Sequence, residues 1–426
     1  MAKESRTNGS QPPLKRFSFA PKLRRSRRWL LSKIRFWIPA ILAGYISFLA
    51  LLTLPAVQKN LLYLNRVNIP FPRDLNRPEK YGFAPYKTRN FRLNTTDGES
   101  LGAWHVLPHS VYREAIAETT KHTEHTLFAP LAPFEDDVFK MSLRKRDTII
   151  YFHGNACNRA TPHRVQSCMA FSNKLDVNVI AIDYRGYGDS TGSPSEDGLL
   201  LDAQTAWDYV DEHARSEDAN RTEGQTVVVV GHSLGTAVTS RLVGHLADQG
   251  VGPKAIILIA PFTSLPDLLT TYRLAGIPLI SPLTFLPSFY GQLVRFLKDT
   301  WMSKDHLIKT KAPILIIHAK DDHDIPASHS SHLFELIKEA RFPSTKEVPS
   351  KVIHREGWGS VALHFGNHEA HQQNTDVLIN RAVAYFEADH GAHNRVGGGE
   401  GVMELIRAFL QSESGQDLER SIVGAP

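Results

Sequence analysis

Two cysteines in 426 residues are too few for a disulfide framework, although a single bond between Cys157 and Cys168 is open. No internal repeat and no His or Cys cluster at metal-ligand spacing is visible, so neither a metal nor an organic cofactor is expected. Acidic residues are nearly missing from the N-terminus, where residues 1–35 hold eleven Lys or Arg against the single Glu4. That surplus of ten, set against a whole-chain net charge of +5, leaves the rest of the chain net acidic. A body without basic excess is a poor partner for nucleic acid, and that class is set aside.

Charge of either sign is absent from Phe36 to Gln58. As a helix this run crosses the ~30 Å apolar core of a bilayer. It is longer than the 7 to 15 apolar residues typical of a cleaved signal peptide. An uncleaved signal anchor is therefore expected over 36–58, with Trp29 and Trp37 near its boundary. The Lys and Arg flank should stay cytosolic, which places everything after the anchor in a lumen or outside the cell. On that side Asn94-Thr95-Thr96 and Asn220-Arg221-Thr222 become candidate glycosylation sites at Asn94 and Asn220.

What the chain does contain is Gly231-His232-Ser233-Leu234-Gly235 directly behind the β-branched run Thr226 to Val230. A Gly-x-Ser-x-Gly turn between a buried strand and a helix is a nucleophile elbow, whose glycines remove Cβ atoms that would clash. A serine hydroxyl is a weak nucleophile at neutral pH, so Ser233 needs a histidine base, a carboxylate to orient it and N–H donors for the oxyanion. The elbow supplies the N–H of Leu234. The second donor falls to the loop His153-Gly154-Asn155-Ala156 after the strand Thr148–Phe152, at Asn155 N–H.

Acid and base follow downstream in the order such sites require. The strand Ile314–His318 opens into Ala319-Lys320-Asp321-Asp322-His323-Asp324, and a carboxylate at a strand's C-terminal end faces the elbow's side of a sheet. Asp322 is taken as the acid, with Asp321 and Asp324 as competitors. Among twenty histidines, His368 is taken as the base because it follows the Gly366-Asn367 turn, with His371 as the alternative.

Strands at Phe91–Leu93 and Leu101–Leu107 read as an opening antiparallel pair around Asp97-Gly98, and 109–146 as a polar surface insertion. Strands then alternate with helices, Val177–Tyr184 before Glu196–His213 and the elbow before Ala255–Ile259. This alternation implies α/β architecture with a mostly parallel, doubly wound sheet. The apolar, Pro-interrupted stretch from Leu265 to Phe296 reads as a cap over an acyl pocket.

The set formed by Leu101 to Pro108, Tyr151-Phe152-His153-Gly154-Asn155, Asp183 to Gly192, Gly231 to Gly235 and His318 to Asp322 resembles the α/β-hydrolase-domain 12 family. The resemblance implies an α/β-hydrolase fold with one N-terminal transmembrane helix, nucleophile Ser233, acid Asp322 and base His368. It also implies a lipase of the endoplasmic reticulum membrane, acting on monoacylglycerols or lysophospholipids such as lysophosphatidylserine. The expected organisation is a basic cytosolic tail (1–35), the anchor (36–58), a membrane-proximal linker (59–90), the hydrolase domain (91–390, cap about 262–304) and a C-terminal tail (391–426). A depalmitoylating thioesterase or serine peptidase could use the same triad, and a non-catalytic membrane scaffold is the reading furthest from it.

Overall fold

The computed structural model describes residues 20–67, 74–119, 133–214, 227–272, 280–343, 350–364, 382–412 and 415–423. The chain divides into two units, residues 1–57 and 58–426.

The first unit is dominated by helix α1 (Ala20–Leu52), whose stretch Lys33–Leu52 is long and apolar enough to cross a membrane, with mean hydropathy 1.7. The apolar helix stops at Leu52 rather than running on to Gln58, and a new helix α2 (Pro55–Tyr63) starts at a proline. Pro55 has no N–H to extend the α1 ladder but suits a first helical turn.

The second unit is built on a ten-stranded sheet. Its strands are β1 (Thr88–Asn94), β2 (Ser100–Val106), β3 (Thr148–Phe152), β4 (Asn178–Ile182), β5 (Val227–His232), β6 (Ala255–Ile259), β7 (Ile314–Ala319), β8 (Lys351–Arg355), β9 (Gly359–His364) and β10 (Val383–Ala388). The spatial order is β1-β2-β4-β3-β5-β6-β7-β10-β9-β8. The centre from β4 to β10 is parallel, and both margins are antiparallel, so the sheet is mixed. The expected opening hairpin is present, with Leu93 opposite Leu101 and Gly98 at φ +90° in its turn.

Alternation along β5 shows how the sheet is covered. Val228 and Val230 face one apolar cluster, while Val227 and Val229 face another. The first is closed by α5 (Pro162–Ala170) and by the helix Glu400–Gln411. The second is closed by α6 (Glu196–Ala214) and α7 (Leu234–Asp248), with α10 (Ser303–Leu307) and α11 (Ser328–Arg341) over the neighbouring strands.

Two segments differ from expectation. The stretch 109–146 contains α3 (His109–Thr119) and α4 (Asp136–Lys145), whose Val111, Tyr112, Phe139 and Leu143 are buried. Its polar surface disguised an inner face tied to the sheet, where Ser142 Oγ donates to Asn178 Oδ1 at 2.6 Å. The segment set aside as a tail after residue 390 buries Val402, Met403, Leu405, Ile406 and Phe409 in the main cluster. Between β6 and β7, α8 (Leu265–Thr271) and α9 (Pro287–Val294) occupy the stretch read as a cap.

Candidate active site

Ser233 sits at the junction of β5 and α7 with φ 54° and ψ −121°, a conformation that costs a β-carbon-bearing residue on the order of 1–3 kcal/mol. Close packing enforces it. A Cβ on Gly231 would come within 2.4 Å of Gly235 O, and one on Gly235 within 1.9 Å of Phe152 O, so neither position admits a side chain. Ser233 N–H donates to Ile259 O at 3.0 Å, and Ser233 O accepts from Thr236 N–H and Thr236 Oγ1 at 2.8 and 2.6 Å. Because α7 begins at Leu234, the N–H groups of Leu234 and Gly235 have no acceptor within the helix, and the helix start lends partial positive charge beside the hydroxyl.

The loop after β3 passes directly over Ser233, so that a Cβ on Gly154 would lie 3.1 Å from Ser233 Cβ. Buried Arg164 fixes the loop's orientation, donating through Nη2 to Gly154 O at 3.0 Å and to Asn155 O at 2.8 Å. In a trans peptide the N–H points opposite to the preceding carbonyl, so clamping Gly154 O aims the Asn155 N–H away from Arg164. The following peptide is held from the other side: Ala156 N–H donates to Tyr63 O at 3.0 Å and Cys157 N–H to Val67 O at 2.8 Å. Ala156 and Cys157 both have positive φ, 57° and 55°. The Asn155 side chain is exposed and reaches Leu62 O at 3.4 Å. His153 is buried beside Tyr184 and Tyr187, and burial lowers its pKa.

Asp322 lies in the turn after β7 and is buried. Its Oδ1 accepts the N–H groups of Asp324 and Ile325, both at 2.9 Å. Its Oδ2 faces two histidines, His393 Nδ1 at 2.7 Å and His318 Nε2 at 3.1 Å. Burial alone would raise the pKa of this carboxyl, but the bonds from His318 and His393 outweigh it and hold the group below the usual carboxylate range. Of the competing acids, Asp321 accepts Ala392 N–H at 2.7 Å and Gly391 N–H at 3.3 Å, so it holds the loop on which His393 stands. Asp324 is exposed.

His393 follows β10 in the helical turn Ala392–Arg395. Its carbonyl is 2.8 Å from Nε2 of His232, the residue beside Ser233, and the two imidazole centroids are 5.1 Å apart. With Nδ1 committed to Asp322, Nε2 is the nitrogen left for proton transfer. His368 and His371, the two histidines favoured from sequence, lie outside the described residues, and the described histidine that meets Asp322 from a following loop is His393. Its signal was the run Ala382 to Ala388 before Asp389-His390-Gly391-Ala392-His393, a strand ending in a glycine-bearing loop. Among the described residues, Asp322, Asp324 and His393 are also the group close enough to share a metal ion. At 2.7 Å Asp322 and His393 bond each other directly, a geometry in which a carboxylate can orient an imidazole.

Asn94 is exposed at the end of β1, with Thr96 exposed as well, whereas Asn220 lies outside the described residues. Both cysteines are free thiols. Cys168 is buried in the main core, and burial pushes its pKa up to about 12.

Residues 149–353 match the sequence model of the family described as the alpha/beta hydrolase family. The lysophosphatidylserine lipase ABHD12 of Danio rerio is 32% identical over 75% of this chain and 76% of its own length. That of Xenopus tropicalis is 32% identical over 78% of both chains. The chain belongs to the ABHD12 family of α/β hydrolases. It is accordingly an enzyme of the serine ester hydrolase class. The human relative called protein ABHD12B is 32% identical over 66% of this chain and 69% of its own, and its name specifies no substrate. The ten-stranded mixed sheet is the α/β-hydrolase fold expected from sequence, and among the described residues one helix, near the N-terminus, is long and apolar enough to cross a membrane.

Proposed function

We propose that this ABHD12 relative is a membrane-anchored lipase that cleaves the carboxylic ester of lysophospholipids, lysophosphatidylserine in particular, or of monoacylglycerols. The observation that carries the chemistry is the Asp322–His393 bond, made on a loop that His232 ties to the elbow of Ser233. In this reading His393, not His368, is the base.

Ser233 Oγ attacks the ester carbonyl while His393 Nε2 takes its proton, and Asp322 stabilises the imidazolium that forms. The alkoxide rests on the N–H groups of Asn155 and Leu234, each worth ~2.7–4 kcal/mol in the transition state. His393 then protonates the departing glycerol oxygen, and a water activated by the same nitrogen releases the fatty acid and restores Ser233. The printed names of the relatives support the substrate class, and the apolar stretch Lys33–Leu52 supports a single-pass anchor. The basic flank of that stretch supports a cytosolic N-terminus with the hydrolase body in the lumen of the endoplasmic reticulum.

The test is labelling with a fluorophosphonate probe, followed by turnover of a lysophospholipid and monoacylglycerol panel. Wild type should label and hydrolyse, and Ser233→Ala should do neither. A folded Ser233→Ala protein that still hydrolyses these esters overturns the mechanism.

A further inference from the structure

Between α8 and α10 the chain presents apolar side chains outward. Phe285 is 86% exposed, Leu286 59%, Phe296 55% and Phe289 49%. The helix α9 that carries Phe289 has no buried residue, although Pro, Phe, Tyr, Leu and Val supply five of its eight positions. The inner side of the segment is held nonetheless: Ile280 and Leu283 are buried, and Tyr290 Oη donates to Pro266 O. A structured segment with its apolar side turned outward marks a contact surface, because soluble monomers rarely leave such patches bare.

Two observations identify what covers it. Residues 268–298 contain no Asp or Glu, and three basic residues, Arg273, Arg295 and Lys298. Apolar anchors beside cations and without anions are the chemistry of a surface that meets anionic lipid. The second is continuity with the anchor. Gln58 Nε2 donates to Phe296 O at 2.9 Å, and Gln58 Oε1 accepts Lys298 N–H at 3.1 Å. Gln58 follows Leu52, the last residue of the apolar helix, by six residues, a length of chain that spans at most about 20 Å. Covalent reach alone thus keeps this face close to where the chain would leave a bilayer.

We propose that the outer face of residues 280–298, with Phe285, Leu286, Phe289 and Phe296 as its apolar anchors and Arg295 and Lys298 beside them, is a second membrane contact. It seats in the interface of the leaflet from which the anchor helix emerges. The proposal rests on the reading of α1 as a membrane anchor. It sets the cap in the plane where single-chain lipid esters partition, so these substrates need not cross water to enter.

The experiment uses the full-length protein in phosphatidylcholine vesicles, with and without phosphatidylserine. A fluorophore on Phe285→Cys, in a Cys157→Ser background, should be quenched by lipids carrying a nitroxide near the headgroup, more strongly when phosphatidylserine is present. The same fluorophore on Val352→Cys, an exposed position on β8, should not. In the same vesicles Phe285→Ser/Phe289→Ser should lose roughly tenfold or more in turnover of a vesicle-borne long-chain ester while keeping turnover of a water-soluble short-chain ester. Absence of quenching at position 285, or equal loss on both substrates, overturns the proposal. Quenching relieved on dilution of the protein, with cross-linked dimers, would assign the face to a second copy and overturn it as well. Carbonate extraction reads the anchor separately: release of the wild type defeats the anchor, while quenching at 285 still decides the contact.

Discussion

Both oxygens of the Asp322 carboxylate are engaged by two donors each, two backbone N–H groups on one and two imidazoles on the other. That arrangement ranks the three acids of the turn, which lie within four residues of each other and look alike in sequence. With its amide oxygen kept toward the two backbone N–H groups, Asp322→Asn should turn its NH2 toward both imidazoles, favour the wrong tautomer of His393 and lower kcat by about 10⁴-fold. His393→Ala should cost a comparable factor and His368→Ala little. Steady-state kinetics on the three variants decides the base, and a crippled His368→Ala with an active His393→Ala would reverse the assignment. Asp321→Ala should act more gently, because it loosens the Gly391-Ala392 loop and misplaces the base by a fraction of a bond length. A loss approaching 10²-fold is the scale of a 1 Å error. The four donors also have a consequence for stability. They hold the folded-state pKa of Asp322 below its unfolded value of about 3.9, so the ionised group stabilises the fold above that pH, and its contribution fades on acidification. The difference in Tm between wild type and Asp322→Asn should therefore shrink as pH falls below about 4.

The segment between the apolar helix and the sheet is more than a linker. Tyr63 O and Val67 O accept the N–H groups of Ala156 and Cys157, the two positive-φ residues that follow Asn155, and Tyr63 O also accepts from Tyr187 Oη at 2.7 Å. Tyr63 Oη in turn donates to Asp299 at 2.9 Å, beside the cap. Deleting residues 1–52 should therefore preserve turnover of a soluble short-chain ester, whereas deleting 1–67 should abolish it. Survival of activity in the longer deletion, measured on folded protein, would show that the loop holds its shape without this strap. Nothing in the composition of residues 60–67 announces that duty, because it is performed by backbone carbonyls, which every residue has. The elements that were legible are those with a strong local signature. The β-branched runs of β5, β6 and β7 bury both faces, and the elbow has a fixed glycine spacing. The hairpin β8–β9 was not legible, since β8 exposes Lys351, Val352, His354 and Arg355 and shows no alternation. For His393 the difficulty was long-range: its assignment depends on a bond to a residue 71 positions away. The glycine-rich stretch after it lies in the segment expected to be a C-terminal tail, but Gly397 packs where a Cβ would come within 2.9 Å of Ile259 Cδ1.

At the scale of the whole molecule, the proposed orientation follows from charge asymmetry about the apolar helix. Eleven basic residues precede residue 36, and no run of that density follows the apolar stretch. Lys and Arg next to a span are retained in the cytosol, so the second unit should be translocated. In that compartment Asn94 meets the steric demand of glycosylation, being exposed at the rim of the β1–β2 hairpin with Thr96 exposed two residues on. Expressed in a eukaryotic cell, the protein should gain mobility on a gel after glycosidase treatment, and Asn94→Gln should remove the change or reduce it to the share of Asn220. In sealed microsomes an N-terminal tag should be digested by added protease while the hydrolase body survives. A body digested from the outside and free of glycan would invert the topology. The outward apolar face of residues 280–298 would then meet the cytosolic leaflet, where anionic lipid is more abundant, and its Arg295 and Lys298 would bind more tightly there than in the lumen.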